Sequence, residues 1–467
     1  MPVVRTWQLT AGAAVVGLAL AAGAVAAAGP WDSGQRKAER EWAAARSPGG
    51  GVHHPRPVPG RPQPAPSAPG VLTALGIPGT APATAPAAAP ADLAEELLPL
   101  LGDPGLGTVQ TASVVDLATG RALYGKGAAT QMTPASTIKI ATSVAALGAL
   151  GPDHRIPTTA TASKDGKVLT LVGGGDASLD RARLGVLAQR AASALKARGT
   201  TAVRLAYDVS LYKGPVRHPI GRNGNLAPVT PLMLHEGRVD ERSTKDAERF
   251  DDPAREAARV FAQLLKDRGL TVAAEPTPGR PAAGSTPVAK VLSDPLSALV
   301  ERLLTESNND LAEAVARQTA LATGRPASFV GAEAAVTAQL KKLKLPLAGA
   351  RFADGSGLNR ADRLSAGQLT ALLALAADPD RPGLRPVLTG LPVAGFTGTL
   401  SGRYGATSPG TGLIRAKTGT LSQVNSLAGT VVAPDGRLLA FAFMAGGTAD
   451  AGSAQPALDR LAAALAT

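Results

Sequence analysis

The sequence predicts an α+β fold: an antiparallel sheet flanked by helices, interrupted by an inserted α/β segment and preceded by a disordered linker. Three observations carry this expectation. A helix and two strands open the folded part, and three strands and a helix close it, so strands come in runs rather than alternating with helices. The long middle stretch holds elements of its own. Ahead of everything lies a Pro-, Ala- and Gly-rich stretch that cannot build a core.

The elements follow in order. The N-terminus reads MPVVRTWQLTAGAAVVGLALAAGAVAAAGP, with Arg5 as its only charge before Asp32. The apolar run offers small-residue cleavage sites at Ala24-Val25-Ala26 and Ala26-Ala27-Ala28. At about 20 residues it is also long enough to cross a bilayer. Residues 1–30 are thus expected to be a signal peptide or a transmembrane anchor, and either places the remainder outside the cytoplasm. Residues 31–91 form the linker; at about 3.1 Å per residue, roughly 45 extended residues of it would reach on the order of 140 Å. The folded part opens near Asp92 with the helix DLAEELLPLL. TVQTASVVDLATGRALYG gives two strands around Thr119-Gly120. TPASTIKIAT starts a helix, with Thr133 as N-cap and Pro134 as first helical residue. An inserted subdomain is expected over 157–287. It holds a hairpin turning at Asp165-Gly166, a helix, and a strand before Asp208. Its GGGD, Gly173 to Asp176, lacks the G-x-G-x-x-G spacing of a dinucleotide loop and reads as a turn. GLIRAKTGT is a strand, SLAGTVVAPDGRLLAFAFMAGG is two strands around Pro434-Asp435-Gly436, and QPALDRLAAALA is the closing helix. Residues 92–156 and 288–467 would form the main domain around that insert.

Composition narrows the function. The chain has 467 residues, 45% of them hydrophobic, enough for a large core. Lys plus Arg number 48 against 36 Asp plus Glu, a formal charge of +12. That favours an anionic membrane surface or polymer. No basic run alternates with aromatics, so nucleic acid is not expected as a partner. The absence of cysteine excludes disulfides, thiolate metal sites and a cysteine nucleophile, and suits an exported bacterial protein.

Three short motifs carry chemistry. Ser followed by Lys three residues on occurs at Ser136/Lys139, Ser193/Lys196 and Ser210/Lys213. Ser193 lies on an amphipathic pattern that leaves Lys196 to solvent. Ser210 sits in LAYDVSLYKGP, a short strand-like run that ends at Gly214-Pro215. Ser136 differs, because it falls at a helix start, where unpaired N–H groups and the dipole favour negative charge. Ser307-Asn308-Asn309 is the chain's only S-x-N, and Lys417-Thr418-Gly419 its only K-T-G. S-x-x-K, S-x-N and K-T-G in this order mark penicillin-interacting serine enzymes.

On these motifs the chain resembles the DacB-type D-alanyl-D-alanine carboxypeptidase/endopeptidases, the class C low-molecular-mass penicillin-binding proteins. GGGDASL, YDVSLYKGP, APVTPLML, DGSGLNR and GFTGTLSGRY resemble further segments of that family, from about Leu93 onward. The insert is shorter than in the fullest members. The resemblance implies a penicillin-binding/serine β-lactamase-like transpeptidase domain acting on peptidoglycan stem peptides, with β-lactam antibiotics as covalent inhibitors and no cofactor or metal. It also implies roles. Ser136 is the nucleophile, Lys139 its base, and Ser307 bridges the two lysines and returns a proton to the leaving amine. Asn309 binds the substrate amide, Lys417, Thr418 and Thr420 bind the terminal carboxylate, and Gly419 completes the K-T-G strand. The N–H groups of Ser136 and Thr420 form the oxyanion hole.

The chemistry fits the residue types. Acyl-enzyme hydrolysis needs an activated hydroxyl. No histidine sits in a motif: His53 and His54 are in the linker, and His154, His218 and His235 lie elsewhere. A lysine base must lose its proton near neutral pH, which costs about 4 kcal/mol. Burial and a nearby positive charge push that way, and the resemblance implies that Lys417 supplies the charge. Two other readings stay open on sequence alone. One is a serine β-lactamase, although no Glu-x-x-Leu-Asn segment is present. The other is a non-catalytic wall-binding or penicillin-sensing module, although binding alone needs no nucleophile. Asp354-Gly355-Ser356-Gly357 reads equally as a loop beside the site or a plain turn.

Overall fold

The structure, a computed structural model, describes residues 90–243 and 246–467. The expected signal or anchor over 1–30, and the linker up to residue 89, lie outside the described residues. Among the described residues no helix is long and apolar enough to cross a membrane. Helix α1 spans Pro90–Leu100, so it starts at Pro90 rather than Asp92. A proline is well suited to a first turn, where its missing N–H would have had no helical partner.

Strands β1 (Val109–Asp116) and β2 (Ala122–Lys126) form the expected hairpin. Helix α2 (Lys139–Leu150) follows. The second sheet then begins, with β3 (Pro157–Ala162), β4 (Val168–Val172), α3 (Arg181–Lys196), β5 (Ala202–Asp208), α4 (Pro253–Lys266), β6 (Thr271–Val272), β7 (Thr277–Pro278) and β8 (Thr286–Leu292). Helices α5 (Leu296–Thr305), α6 (Asn309–Ala322), α7 (Phe329–Lys342) and α8 (Ala366–Ala377) come next. Strands β9 (Ile414–Leu421), β10 (Val424–Val432) and β11 (Leu438–Gly446) and helix α9 (Ala451–Ala464) close the chain.

The first sheet has the order β2-β1-β11-β10-β9 and is antiparallel throughout. The first and last strands of the described residues are thus neighbours, because β1 pairs along its whole length with β11. The central strand β11 is buried on both faces, and its side chains alternate between two cores. Leu439, Phe441, Phe443 and Ala445 pack with Leu97 of α1, with Leu101 just beyond it, and with Leu458 and Leu461 of α9. Ala440, Ala442 and Met444 pack with Leu369, Leu372 and Leu373 of α8 and with α2. The small side chains on that second face let the helical layer approach closely. A buried hydrogen bond of 2.9 Å between the Ser113 and Thr370 hydroxyls ties β1 to α8.

The second sheet has the order β6-β5-β4-β3-β8, with β7 also paired to β5. It is mixed: β3 runs antiparallel to β4 and β8, whereas β4, β5, β6 and β7 pair in parallel. Strand β8 runs past Pro287 to Leu292. Helices α3 and α4 cover one face through Leu184, Leu187, Phe261 and Leu265.

The two faces of β11 make opposite demands. We expect Phe441→Ala, which leaves a cavity against α9, to lower stability by about 3–5 kcal/mol. Ala442→Leu, which adds volume against α8, should cost about 1–3 kcal/mol by overpacking. Urea unfolding of both variants beside the parent measures the difference.

Candidate active site

The nucleophile candidate sits on a tighter turn than the sequence suggested. Residues Ala135–Ile138 form a 3₁₀ turn, and α2 begins only at Lys139. No side chain caps either start, so Thr133 is not the N-cap. The reason is Ala135, whose φ of 49° lies in the left-handed region and breaks the run from Pro134. A non-glycine residue there costs of order 1–2 kcal/mol, so its neighbours must impose it. In a 3₁₀ turn, side chains three residues apart eclipse. Ser136 and Lys139 therefore stand directly above one another.

Two glycines explain how that turn is held. Gly357 (φ 86°) lies where an added Cβ would collide with the Ala135 backbone. Gly419, the glycine of K-T-G, lies where a Cβ would stand 2.6 Å from the Pro134 carbonyl oxygen. Strand β9 thus packs against the turn with no side chain between them. Ser426 of β10 donates its hydroxyl to the same Pro134 oxygen at 2.7 Å.

Lys139 is fully buried. Its amine lies 2.8 Å from Ser136 Oγ, 2.7 Å from Asn309 Oδ1 and 2.5 Å from the Ser356 carbonyl oxygen. Burial pushes its pKa down to about 8, against the pull of the Asp354, Glu313, Asp362 and Asp310 carboxyls. Lys417, also fully buried, donates to the Thr418 carbonyl at 2.8 Å. Its pKa is well below lysine's ordinary value, through burial first and then the charges of Lys139 and Arg403.

The S-x-N motif links α5 to α6. Ser307 is half-buried with φ 57°. Among the described residues no hydrogen bond joins its hydroxyl to Lys139 or Lys417; the amine of Lys417 turns to Thr418 instead. Asn308 caps α6 by accepting from the Leu311 N–H at 3.0 Å. Asn309 reaches across the site, accepting from Lys139 and donating to the Asn225 carbonyl at 3.1 Å.

Strand β9 is the sheet's edge. Outside it, the Ala416 N–H donates to the Pro392 carbonyl, and the Ala394 N–H to the Ile414 carbonyl. Ile414 and Ala416 therefore turn their backbone groups outward, and by the alternation of a strand so do Thr418 and Thr420. An extended peptide can pair with such an edge. The Thr418 hydroxyl donates to Thr399 at 2.9 Å, and exposed Thr420 accepts from Gln455 at 3.3 Å.

One group at the site was given no role by the sequence. The Asp354-Gly355-Ser356-Gly357 loop presents the Ser356 carbonyl to Lys139, and the Ser136 hydroxyl reaches it at 3.5 Å. The loop rests on buried charges. Glu313 Oε1 accepts from the Gly355 and Ser356 N–H groups at 2.9 and 3.0 Å, while Oε2 accepts from Arg317 at 3.3 Å. Asp354 accepts from the Gly357 N–H at 2.6 Å, the Asn359 N–H at 2.9 Å and His218 Nε2 at 2.8 Å. Burial alone would raise Asp354; the hydrogen bonds from His218, Asp362 and Gly357 outweigh it and hold its pKa down to about 2. Burial and the charge of Asp354 push Asp362 up to about 10, so Asp362 keeps its proton and shares it with Asp354. His218, Glu313 and Asp354 lie close enough together to hold a cation, with ligand atoms within 4.8 Å. Their oxygens are instead engaged by N–H donors of the protein.

Comparison with known proteins agrees with this geometry. The profile of the D-Ala-D-Ala carboxypeptidase 3 (S13) family matches residues 93–249 and 239–465. The chain is 36% identical over 425 residues to the carboxypeptidase DacB of Mycolicibacterium smegmatis, covering 87% of this chain and 89% of that one. It is 37% identical over 371 residues to a carboxypeptidase of Mycobacterium tuberculosis, covering 74% and 78%. Its fold is similar to that of penicillin-binding protein 4 (DacB) of Haemophilus influenzae, with a TM-score of 0.66 at 22% identity over 80% of this chain and 98% of that one. A match that runs through the whole folded part, around a serine stacked on a buried lysine, makes this chain a member of the D-Ala-D-Ala carboxypeptidase 3 (S13) family.

Proposed function

We propose that this chain is an extracytoplasmic serine D,D-peptidase that cleaves the D-Ala-D-Ala bond of peptidoglycan stem peptides through an acyl-enzyme on Ser136, and that β-lactams acylate the same oxygen. The observation that carries this reading is the Lys139 amine, buried and 2.8 Å from Ser136 Oγ. A neutral amine has two N–H donors and one lone pair. Asn309 Oδ1 and the Ser356 carbonyl can only accept, so they take the two donors. The lone pair then faces the Ser136 hydroxyl, the arrangement a general base requires.

The steps follow. Lys139 takes the Ser136 proton as Oγ attacks the carbonyl carbon of the penultimate D-Ala. The developing oxyanion is held by the N–H groups of Ser136 and Thr420, the latter on the outward phase of β9. The C–N bond breaks, and the terminal D-Ala leaves as an amine after receiving a proton through Ser307. For that step Ser307 must turn toward the lysines. Water, deprotonated by Lys139, then hydrolyses the ester and frees Ser136. Lys417, Thr418 and Thr420 bind the substrate's terminal carboxylate. That anion gives the Lys417 ammonium the partner that burial denies it, and the restored charge favours neutral Lys139.

Residues 92–156 and 288–467 are assigned as the catalytic domain that supplies the reacting groups, with 157–287 inserted, although β8 carries the insert's sheet on to Leu292. The apolar N-terminal run exports the chain, as a cleaved signal or as a membrane anchor. The linker after it gives the enzyme reach within the wall.

Ser136→Ala should abolish both covalent labelling by fluorescent penicillin and release of D-Ala from a D-Ala-D-Ala peptide. Labelling at full stoichiometry in that variant overturns the assignment. The pH dependence has a definite sign. Below about 8 Lys139 takes up a proton and loses its lone pair, so the acylation rate should fall roughly tenfold per pH unit. Above that pH it should level off. Stopped-flow acylation from pH 5.5 to 9 reads the profile, and Lys139→Met should lower the plateau about 10²–10⁴-fold.

A further inference from the structure

The lone pair of Lys139 points at Ser136 only if its other two partners stay fixed. Both are held from one stretch of chain, the segment between β5 and α4. The Asn225 carbonyl of that segment accepts from Asn309 Nδ2 at 3.1 Å, which turns Oδ1 toward Lys139. The neighbouring Asp310 is fixed by the same segment. It accepts from the Ala227 N–H at 2.9 Å and pairs with Arg249 at 3.0 Å.

The Ser356 carbonyl is held less directly. His218 is buried, its ring edge-on to Phe329 with centroids 5.4 Å apart. Its Nδ1 accepts from the Ile220 N–H at 3.1 Å, so the ring proton must sit on Nε2. Nε2 therefore donates to Asp354 Oδ2 at 2.8 Å. Asp354 in turn receives the Ser356 and Gly357 N–H groups at 3.1 and 2.6 Å and the Ser356 hydroxyl at 3.0 Å. These bonds set the orientation of the peptide unit that offers the Ser356 carbonyl to Lys139 at 2.5 Å.

We infer that His218 is a positioning residue for the catalytic base. Through Asp354 it fixes the Ser356 carbonyl, and with it the direction of the Lys139 lone pair. This rests on the acyl-enzyme reading above. His218 touches no substrate; its effect passes through the loop. A misplacement near 1 Å at the reacting atoms is worth about 10²-fold in rate.

The test separates a positioning role from a merely structural one. Acylation of wild type, His218→Ala and His218→Gln by a fluorescent penicillin is followed to saturation, alongside the labelled fraction and the melting temperature. His218→Ala should lower the limiting acylation rate about 10–100-fold, with half-saturation changed less than about threefold. His218→Gln should recover to within about fivefold, because its amide N–H can still donate to Asp354. A structural role alone predicts fewer labelled molecules and a lower melting temperature, with the labelled ones reacting at the wild-type rate; that result overturns the inference. If neither variant folds, the His218 Nε2–H proton resonance of the wild type decides. It should move when Ser136 is acylated, and an unmoved signal overturns the inference. Failure of the underlying reading looks different: wild type itself would not be labelled at Ser136.

Discussion

A primary amine closed off from water governs this molecule. Burial costs the charged form of Lys139 its hydration, and four carboxyls nearby return part of what burial removes. In the reaction proposed above, the result is a base poised near the pH at which it would work. Any change that admits water beside Lys139 restores an ordinary ammonium, which has no lone pair. The packing of α2 is therefore part of the chemistry. From Lys139 to Leu147 every residue of the helix is buried.

Close backbone approach is the second constraint. The serine turn is squeezed between β9 and the Asp354–Gly357 loop, and glycine faces it on both sides. Such contacts leave no slack, since a single methyl would displace the turn. The strain at Ala135 is tolerated because both neighbours hold it in place. Rigidity comes from the first sheet, whose central strand is covered on both faces. Its edge strand keeps an open rim where a peptide can lie. Buried carboxyls beneath the loop complete the frame, and the proton kept by Asp362 prevents two anions from facing each other.

Much of this was legible in the sequence, and the limits have physical causes. The strands were visible because β1, β10 and β11 are apolar runs bounded by turn residues such as Thr119-Gly120 and Pro434-Asp435-Gly436. S-x-x-K, S-x-N and K-T-G could be read because side-chain type at fixed spacing defines them. DGSGLNR marked the loop through the resemblance, but Ser356 contributes a backbone carbonyl, which any residue possesses, so residue type could not assign that atom its contact. His218 and Asp354 lie far apart in the chain, and nothing periodic joins them. Thr133 looked like a cap, since propensity cannot foresee the left-handed residue that follows Pro134. Pro90 at the helix start was masked by the alanine- and proline-rich run before it.

The segment between β5 and α4 is not an ornament on a self-sufficient enzyme. Asn225, Ala227 and Arg249 brace one acceptor of the amine, and His218 stands behind the other. Grafting a foreign insert at this point of the fold would transplant only a shape. Descendants of this architecture are accordingly bound to diversify the insert and the reaction centre in concert, with the outer surface of the insert alone left free to drift.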